Sequence, residues 1–162
     1  MDKLNSTDFN NPSADFGGLE SLLSFYIRRV NIAVSRDLDN KLSGLDVAKG
    51  TGKIGTLLIV SRHPGIRPSD IADIIVRDRS SMGRLLEKME NQGLIIRRVS
   101  PVDQRSQELY LTAKGHHLAS KVIKIARMQD EEFFHMVTEY EKNIIIHACH
   151  KILKFHQSPG LF

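Results

Sequence analysis

From Leu19 the apolar residues recur at Leu19, Leu22, Leu23, Tyr26, Val30, Ala33, Val34 and Leu38. A stripe sustained for about five turns predicts a long amphipathic helix. Continued to Leu42, it would be roughly 35 Å long at ~1.5 Å rise per residue, with Ser43-Gly44 as its end. The connector "DVAKGTGK" is turn-rich. Lys53 to Arg62 fits a second helix, with Ile54, Leu57, Leu58 and Val60 or Ser61 inward, and His63-Pro64-Gly65 stops it. Pro68 suits the first position of a short third helix, where its missing N–H costs nothing. Asp70 suits the dipole of that helix, and Ile71, Ala72, Ile74 and Ile75 form its apolar side. After a polar link, Val76 to Arg79, Asp78 is the N-cap candidate of a fourth helix. Its Met82, Leu85, Leu86 and Met89 fall at i, i+3, i+4 and i+7, and Gly93 closes it as a left-handed cap.

The period then shortens to two. "LIIRRV" reads as a strand and "QELYLT" as its return partner, with Leu109 and Leu111 on one face. Thr112 is a further N-cap candidate. A long helical pattern follows through Leu118, Val122, Ile123, Ile125 and Ala126, reaching Phe133-Phe134. "TEYE", Thr138 to Glu141, has capping-box spacing and opens a last helix with the stripe Ile144, Ile145, Ala148, Ile152 and Phe155. The predicted fold is mainly α with a small β-hairpin: a winged helix-turn-helix domain flanked by N- and C-terminal dimerisation helices. The flanking helices have broad apolar faces that so small a middle domain does not need, and a second copy of the chain is the simplest cover. The expected division is an N-terminal arm (1–18), an N-terminal dimerisation helix (19–48), a winged helix-turn-helix DNA-binding domain (49–115) and C-terminal dimerisation helices (116–162).

Bulk composition narrows the function classes. At 162 residues, 41% hydrophobic and 26% charged, the chain suits one compact domain or two packed subdomains. A net charge of +4 and a pI near 9.3 are mildly basic, so the placement of charge matters more than its total. With Cys149 alone, no intrachain disulfide can form, which fits a reducing compartment. No apolar run approaches the roughly 20 residues of a membrane span, and the polar N-terminus lacks a signal peptide's apolar core. The expectation is a cytoplasmic protein with no membrane role.

The fourth helix has one apolar face and one small or basic face. Ser80, Ser81 and Gly83 allow close approach, Arg79 and Arg84 can reach guanine edges or phosphates, and Lys88 suits phosphate. An amphipathic surface helix with solvated charges would look similar. The hairpin tips the balance, because Arg97, Arg98 and Arg105 crowd it with only Asp103 and Glu108 in opposition. An arginine at a wing tip can enter a narrow minor groove. Asp103 can fix its aim by accepting from the guanidinium or from the loop backbone.

"RSSMGRLLEKMENQGLIIRRVSPVDQRSQELYLTAKG" resembles the multiple-antibiotic-resistance regulators, the MarR family. The likeness is to that family's recognition helix, Gly-Leu-Ile/Val, paired arginines, Asp-x-Arg wing and Leu-Thr-x-x-Gly. With the helix order on both sides, it covers nearly the whole chain after the arm. The resemblance implies a homodimer on double-stranded DNA at a pseudo-palindromic operator. It implies that Ser80, Ser81 and Arg84 face the major groove, that Arg105 probes the minor groove and that Asp103 braces the wing. Gln104 stands where the family is often basic, and Met82-Gly83 where many members carry a β-branched and a polar residue. The function expected is a ligand-responsive transcriptional regulator acting as a repressor. The alternative is a winged-helix protein-interaction module without specific DNA readout.

The resemblance further implies a small-molecule effector, an aromatic or other organic acid, held between dimer helices and winged domain. Tyr26, Arg29 and His63 are the candidates near that junction, although Arg29 would equally serve at the surface or in an intersubunit ion pair. Cys149 is expected to be packed and inert rather than a redox sensor. His116-His117 and the His147/His150 pair would need further zinc ligands from elsewhere in the chain or from a second subunit. The sequence holds no nucleophile elbow, phosphate loop, HExxH or CxxC. No catalytic residue, metal or cofactor is therefore assigned.

Overall fold

The computed structural model of the chain describes residues 17–47, 51–75 and 78–156. Most of the predicted arm and parts of both polar links lie outside them. Six helices and one hairpin follow in the expected order among these residues: α1 (Leu23–Lys41), α2 (Thr51–Arg62), α3 (Pro68–Ile74), α4 (Arg79–Asn91), β1 (Ile95–Val99), β2 (Gln107–Leu111), α5 (Ala113–Phe133) and α6 (Glu139–His156). The chain divides into two units at Arg36/Asp37.

In the first unit, Leu19–Ser21 forms a 3-10 turn. Leu22 is extended (φ −95°, ψ 117°), so α1 begins at Leu23 rather than at Leu19. The Tyr26 hydroxyl donates to the Glu20 carbonyl at 3.0 Å and ties the turn to the helix. No residue of α1 is buried, and Leu23, Ile27, Val30 and Ile32 are exposed.

The second unit holds the core. Leu57 and Val60 of α2, Ile71 and Ala72 of α3, Met82, Leu86 and Met89 of α4, Ile95, Leu109 and Leu111 of the hairpin, and Leu118 and Val122 of α5 are buried together. Each such large side chain removed from water stabilises by about 1.5–3 kcal/mol. Ile74, expected inward, is 54% exposed. At about 100° per residue, Ile71, Ala72 and the half-buried Ile75 centre the apolar stripe on one side and leave Ile74 beyond its edge.

Local signals set the element ends. Asp78 Oδ1 accepts from the Ser81 amide at 2.8 Å and caps α4. Gly93, at φ +67°, turns the chain out of that helix. The Thr112 hydroxyl accepts from the Gly115 amide at 3.0 Å and donates to the Gly93 carbonyl at 2.6 Å, so one residue caps α5 and anchors it to the exit of α4. Glu141 accepts from the Thr138 amide at 2.9 Å, completing the capping box of α6. The hairpin is antiparallel, with Arg97 opposite Leu109 and Arg98 opposite Glu108.

A third short strand contact was not expected. Ile66 bridges Leu109, with Gly65 N donating to Leu109 O at 2.8 Å and Leu109 N to Ile66 O at 3.1 Å. The stop after α2 therefore also seats the hairpin on the α2–α3 turn. On α6 no residue is buried, and Ile144, Ile145, Ile152 and Phe155 are all exposed. Cys149, expected to be packed in a dimer helix, is exposed in the single chain.

Candidate nucleic-acid interface

The inward face of α4 determines its outward one. With Met82, Leu86 and Met89 buried, helical periodicity turns Arg79, Ser80, Gly83, Arg84 and Lys88 away from the core, and all five are exposed. Ser81 is half-buried, and its hydroxyl accepts from Arg84 Nη2 at 3.3 Å. Among the described residues Arg79, Arg84 and Lys88 form no ion pair. A Cβ added at Gly83 would meet nothing within 4 Å, and its φ is not positive. Neither packing nor backbone geometry requires glycine there, although glycine costs a helix interior about 1 kcal/mol against alanine. The bare surface favours close approach from outside the chain.

At the first turn, the Ser81 amide and then its hydroxyl hold the Asp78 carboxyl below its ordinary value of 3.8. The rest of the outward face carries the cations Arg79, Arg84 and Lys88 together with the exposed carboxylate Glu87.

The wing tip is fixed by its own backbone. The Arg105 amide donates to Asp103 Oδ1 at 3.0 Å, and the Ser106 amide and hydroxyl donate to the Asp103 carbonyl at 2.9 and 3.0 Å. Ser100 N donates to Ser106 O at 3.0 Å. Of the two partners expected for Asp103, the structure selects the loop backbone over the guanidinium. Arg105 is exposed and without an ion pair among the described residues.

Arg97 behaves differently. It is half-buried, and its Nε lies 3.0 Å from Glu90 Oε2 of α4, an ion-pair contact without hydrogen-bond alignment. Its inward register position, opposite Leu109, commits it to joining the hairpin to α4. The remaining candidates gather on two neighbouring elements: Arg79, Ser80, Ser81, Arg84 and Lys88 on α4, and Asp103 and Arg105 at the wing tip.

A second feature lies between α2 and α5. A cleft of about 550 Å³ is lined by Leu58, Ser61 and Arg62 from α2 and by Ala119, Ser120, Ile123 and Arg127 from α5. Arg62 and Arg127 are exposed and form no ion pair among the described residues. Sequence reading missed both arginines, because only the packing of α2 on α5 brings residues 65 positions apart onto one cleft. His63 does not line it. Tyr26 is bonded to Glu20, Arg29 lies 5.2 Å from the Phe25 ring centroid, and His63 is exposed at the end of α2.

No described helix is long and apolar enough to cross a membrane. Among the described residues no group of three His, Cys, Asp or Glu side chains is placed to hold a metal.

A MarR family model matches residues 53–107, from the start of α2 into β2. The chain is similar to the putative transcriptional regulatory protein for the hcr operon of Thauera aromatica. They are 28% identical over 130 residues, which are 80% of this chain and 78% of that protein. Its fold is similar to that of the transcriptional repressor CouR bound to a 23-mer DNA duplex, at a TM-score of 0.76, 22% identity and coverage of 86% and 97% of the two chains. The likeness to CouR bound to p-coumaroyl-CoA is comparable, at a TM-score of 0.76, 20% identity and coverage of 85% and 96%.

Proposed function

We propose that this chain, which belongs to the MarR family of winged helix-turn-helix DNA-binding transcription regulators, is a repressor that grips a pseudo-palindromic operator as a homodimer and releases it when an organic acid binds. The observation that carries this reading is the set of α4 cations, Arg79, Arg84 and Lys88, exposed and without an ion pair among the described residues, beside a wing tip whose backbone is already locked. In this reading Ser80, Ser81, Arg79 and Arg84 enter the major groove, Lys88 meets phosphate, and Arg105 enters the minor groove with Asp103 holding the tip. Residues 49–115 read DNA, while 19–48 and 116–162 hold the dimer. The uncovered apolar faces of α1 and α6 support the second role.

The control is mechanical. Two recognition helices must lie about 34 Å apart to enter successive major grooves. An effector loosens the grip only if it binds a different spacing more tightly. The α2–α5 cleft supports such an effector, with an apolar floor of Leu58, Ala119 and Ile123 and two free guanidinium groups for a carboxylate. CouR's structure with p-coumaroyl-CoA favours an aromatic acid or its thioester. Arg62 and Arg127 would then serve as anchors in addition to the candidates Tyr26, Arg29 and His63 suggested by the sequence.

Fluorescence anisotropy with the DNA upstream of the gene tests the reading. Arg105→Ala should keep fold and dimer, weaken binding, and flatten the salt dependence by about 0.9 in log–log slope per lost phosphate contact. Aromatic carboxylates added to the same titration should release the unaltered protein. Identical binding by Arg105→Ala at several salt concentrations would rule out the wing role.

A further inference from the structure

The outer face of the hairpin carries a small polar cluster that neither the reading helix nor the wing tip uses. Arg98 and Glu108 are direct cross-strand partners, and Tyr110 lies two pairs further along, on the same face, opposite Ile96. Cross-strand neighbours stand close enough for an ion pair, their Cβ atoms about 5 Å apart. An Arg opposite a Glu would ordinarily form one. Here it does not.

Both carboxylate oxygens of Glu108 are taken by neutral hydroxyls. Ser100 Oγ donates to Oε1 at 2.8 Å and Tyr110 Oη donates to Oε2 at 2.7 Å. Ser100 is 2% exposed, so its side chain is held in place. Tyr110 Oη is hemmed in from the other side by Gly65, where an added Cβ would sit 3.2 Å from it. The hydroxyls, Tyr110 first and then Ser100, with the nearby charge of Arg67 as a lesser cause, hold the Glu108 carboxyl below its ordinary value of 4.5, so it remains an anion.

Arg98 instead lies over the Tyr110 ring, 4.9 Å from its centroid, exposed and without an ion pair among the described residues. The ring supports the guanidinium without neutralising it. Its neighbour Arg97 shows the other outcome, being spent on Glu90.

We propose that Ser100 and Tyr110 are positioning residues that hold Glu108 off Arg98, so that Arg98 remains a free cation on the wing and binds a DNA phosphate. The proposal rests on the DNA-binding role and adds a contact outside the reading helix and wing tip. Loss of the Tyr110 hydroxyl would release one Glu108 oxygen to pair with Arg98, while the ring beneath the guanidinium would stay.

The experiment is a salt titration of binding to a short mixed-sequence DNA duplex, read by anisotropy, with thermal midpoints as the control for folding. Arg98→Ala should flatten the slope of log Kobs against log salt by about 0.9 per bound protomer. Arg98→Gln, which keeps the stem over the ring, should do the same, and Arg98→Lys should keep the parental slope. Tyr110→Phe should flatten it comparably. The double variant Tyr110→Phe/Glu108→Gln should recover the parental slope, because no carboxylate remains to neutralise Arg98. A purely structural role for the Tyr110 hydroxyl predicts no recovery. A parental slope in both Arg98→Ala and Arg98→Gln, or a double variant as flat as Tyr110→Phe, would overturn the proposal. If the unaltered protein fails to bind the duplex at low salt, the DNA reading falls with it.

Discussion

Single residues decide more here than their size suggests. A Cβ at Gly115 would lie 2.1 Å from the Leu94 carbonyl oxygen, a backbone atom that cannot swing aside. Gly115→Ala must therefore push the first turn of α5 away from the exit of α4. Strain of this kind typically costs about 1–3 kcal/mol, occasionally more, and a chemical-denaturation midpoint well below that of the parent is the expected result. Asp78 gives a pH signature. Its folded-state pKa is depressed by the Ser81 amide and hydroxyl, so the unfolded chain takes up the proton first as pH falls. The contribution of the cap is intact above the ordinary value of 3.8 and is lost as pH drops through the lower folded value. Asp78→Asn keeps the cap but should flatten that part of the acid-unfolding profile. An unchanged profile would show that the carboxylate carries none of it. The Asp78 cap could be read from spacing. The Gly115 contact could not, because it depends on a carbonyl 21 positions away.

Among the elements, α4 was legible in full and the hairpin in outline. The i, i+3, i+4, i+7 pattern of α4 fixed its inward face, and the outward face followed from helical geometry alone. Arg84 and Lys88 should separate in function. Arg84→Ala should relax base preference at one operator position, while Lys88→Ala should weaken all sequences alike and flatten the salt slope by about one contact. Competition between operator and scrambled duplexes measures the difference, and equal behaviour of the two variants would refute it. In the hairpin, period two put Leu109 and Leu111 inside. It could not distinguish Arg97 from Arg98, because the sequence does not show that Glu90 waits beneath one and Tyr110 beneath the other. Ile74 was misplaced because a seven-residue helix gives too short a stripe to locate its centre.

At the scale of the whole molecule, the apolar residues of α6 remain uncovered: Ile144, Ile145, Ile152, Leu153 and Phe155 are each at least 41% exposed. Ile152→Glu would place a charge on that face without disturbing any buried contact of the single chain. For the proposed homodimer, sedimentation should then show a shift from dimer to monomer, with operator affinity falling because two half-sites are no longer gripped together. A variant that stays dimeric would remove α6 at Ile152 from the interface.

Sequence alone determined the element order, the caps and the two-faced character of α4, since these depend on neighbours within about four residues. Tertiary structure decided which cations are free. Arg97 pairs with Glu90, Arg98 is spared by hydroxyls from Ser100 and Tyr110, and Arg62 and Arg127 line one cleft. Free charge depends on what folding brings within a few ångströms, and local periodicity carries no record of those distances.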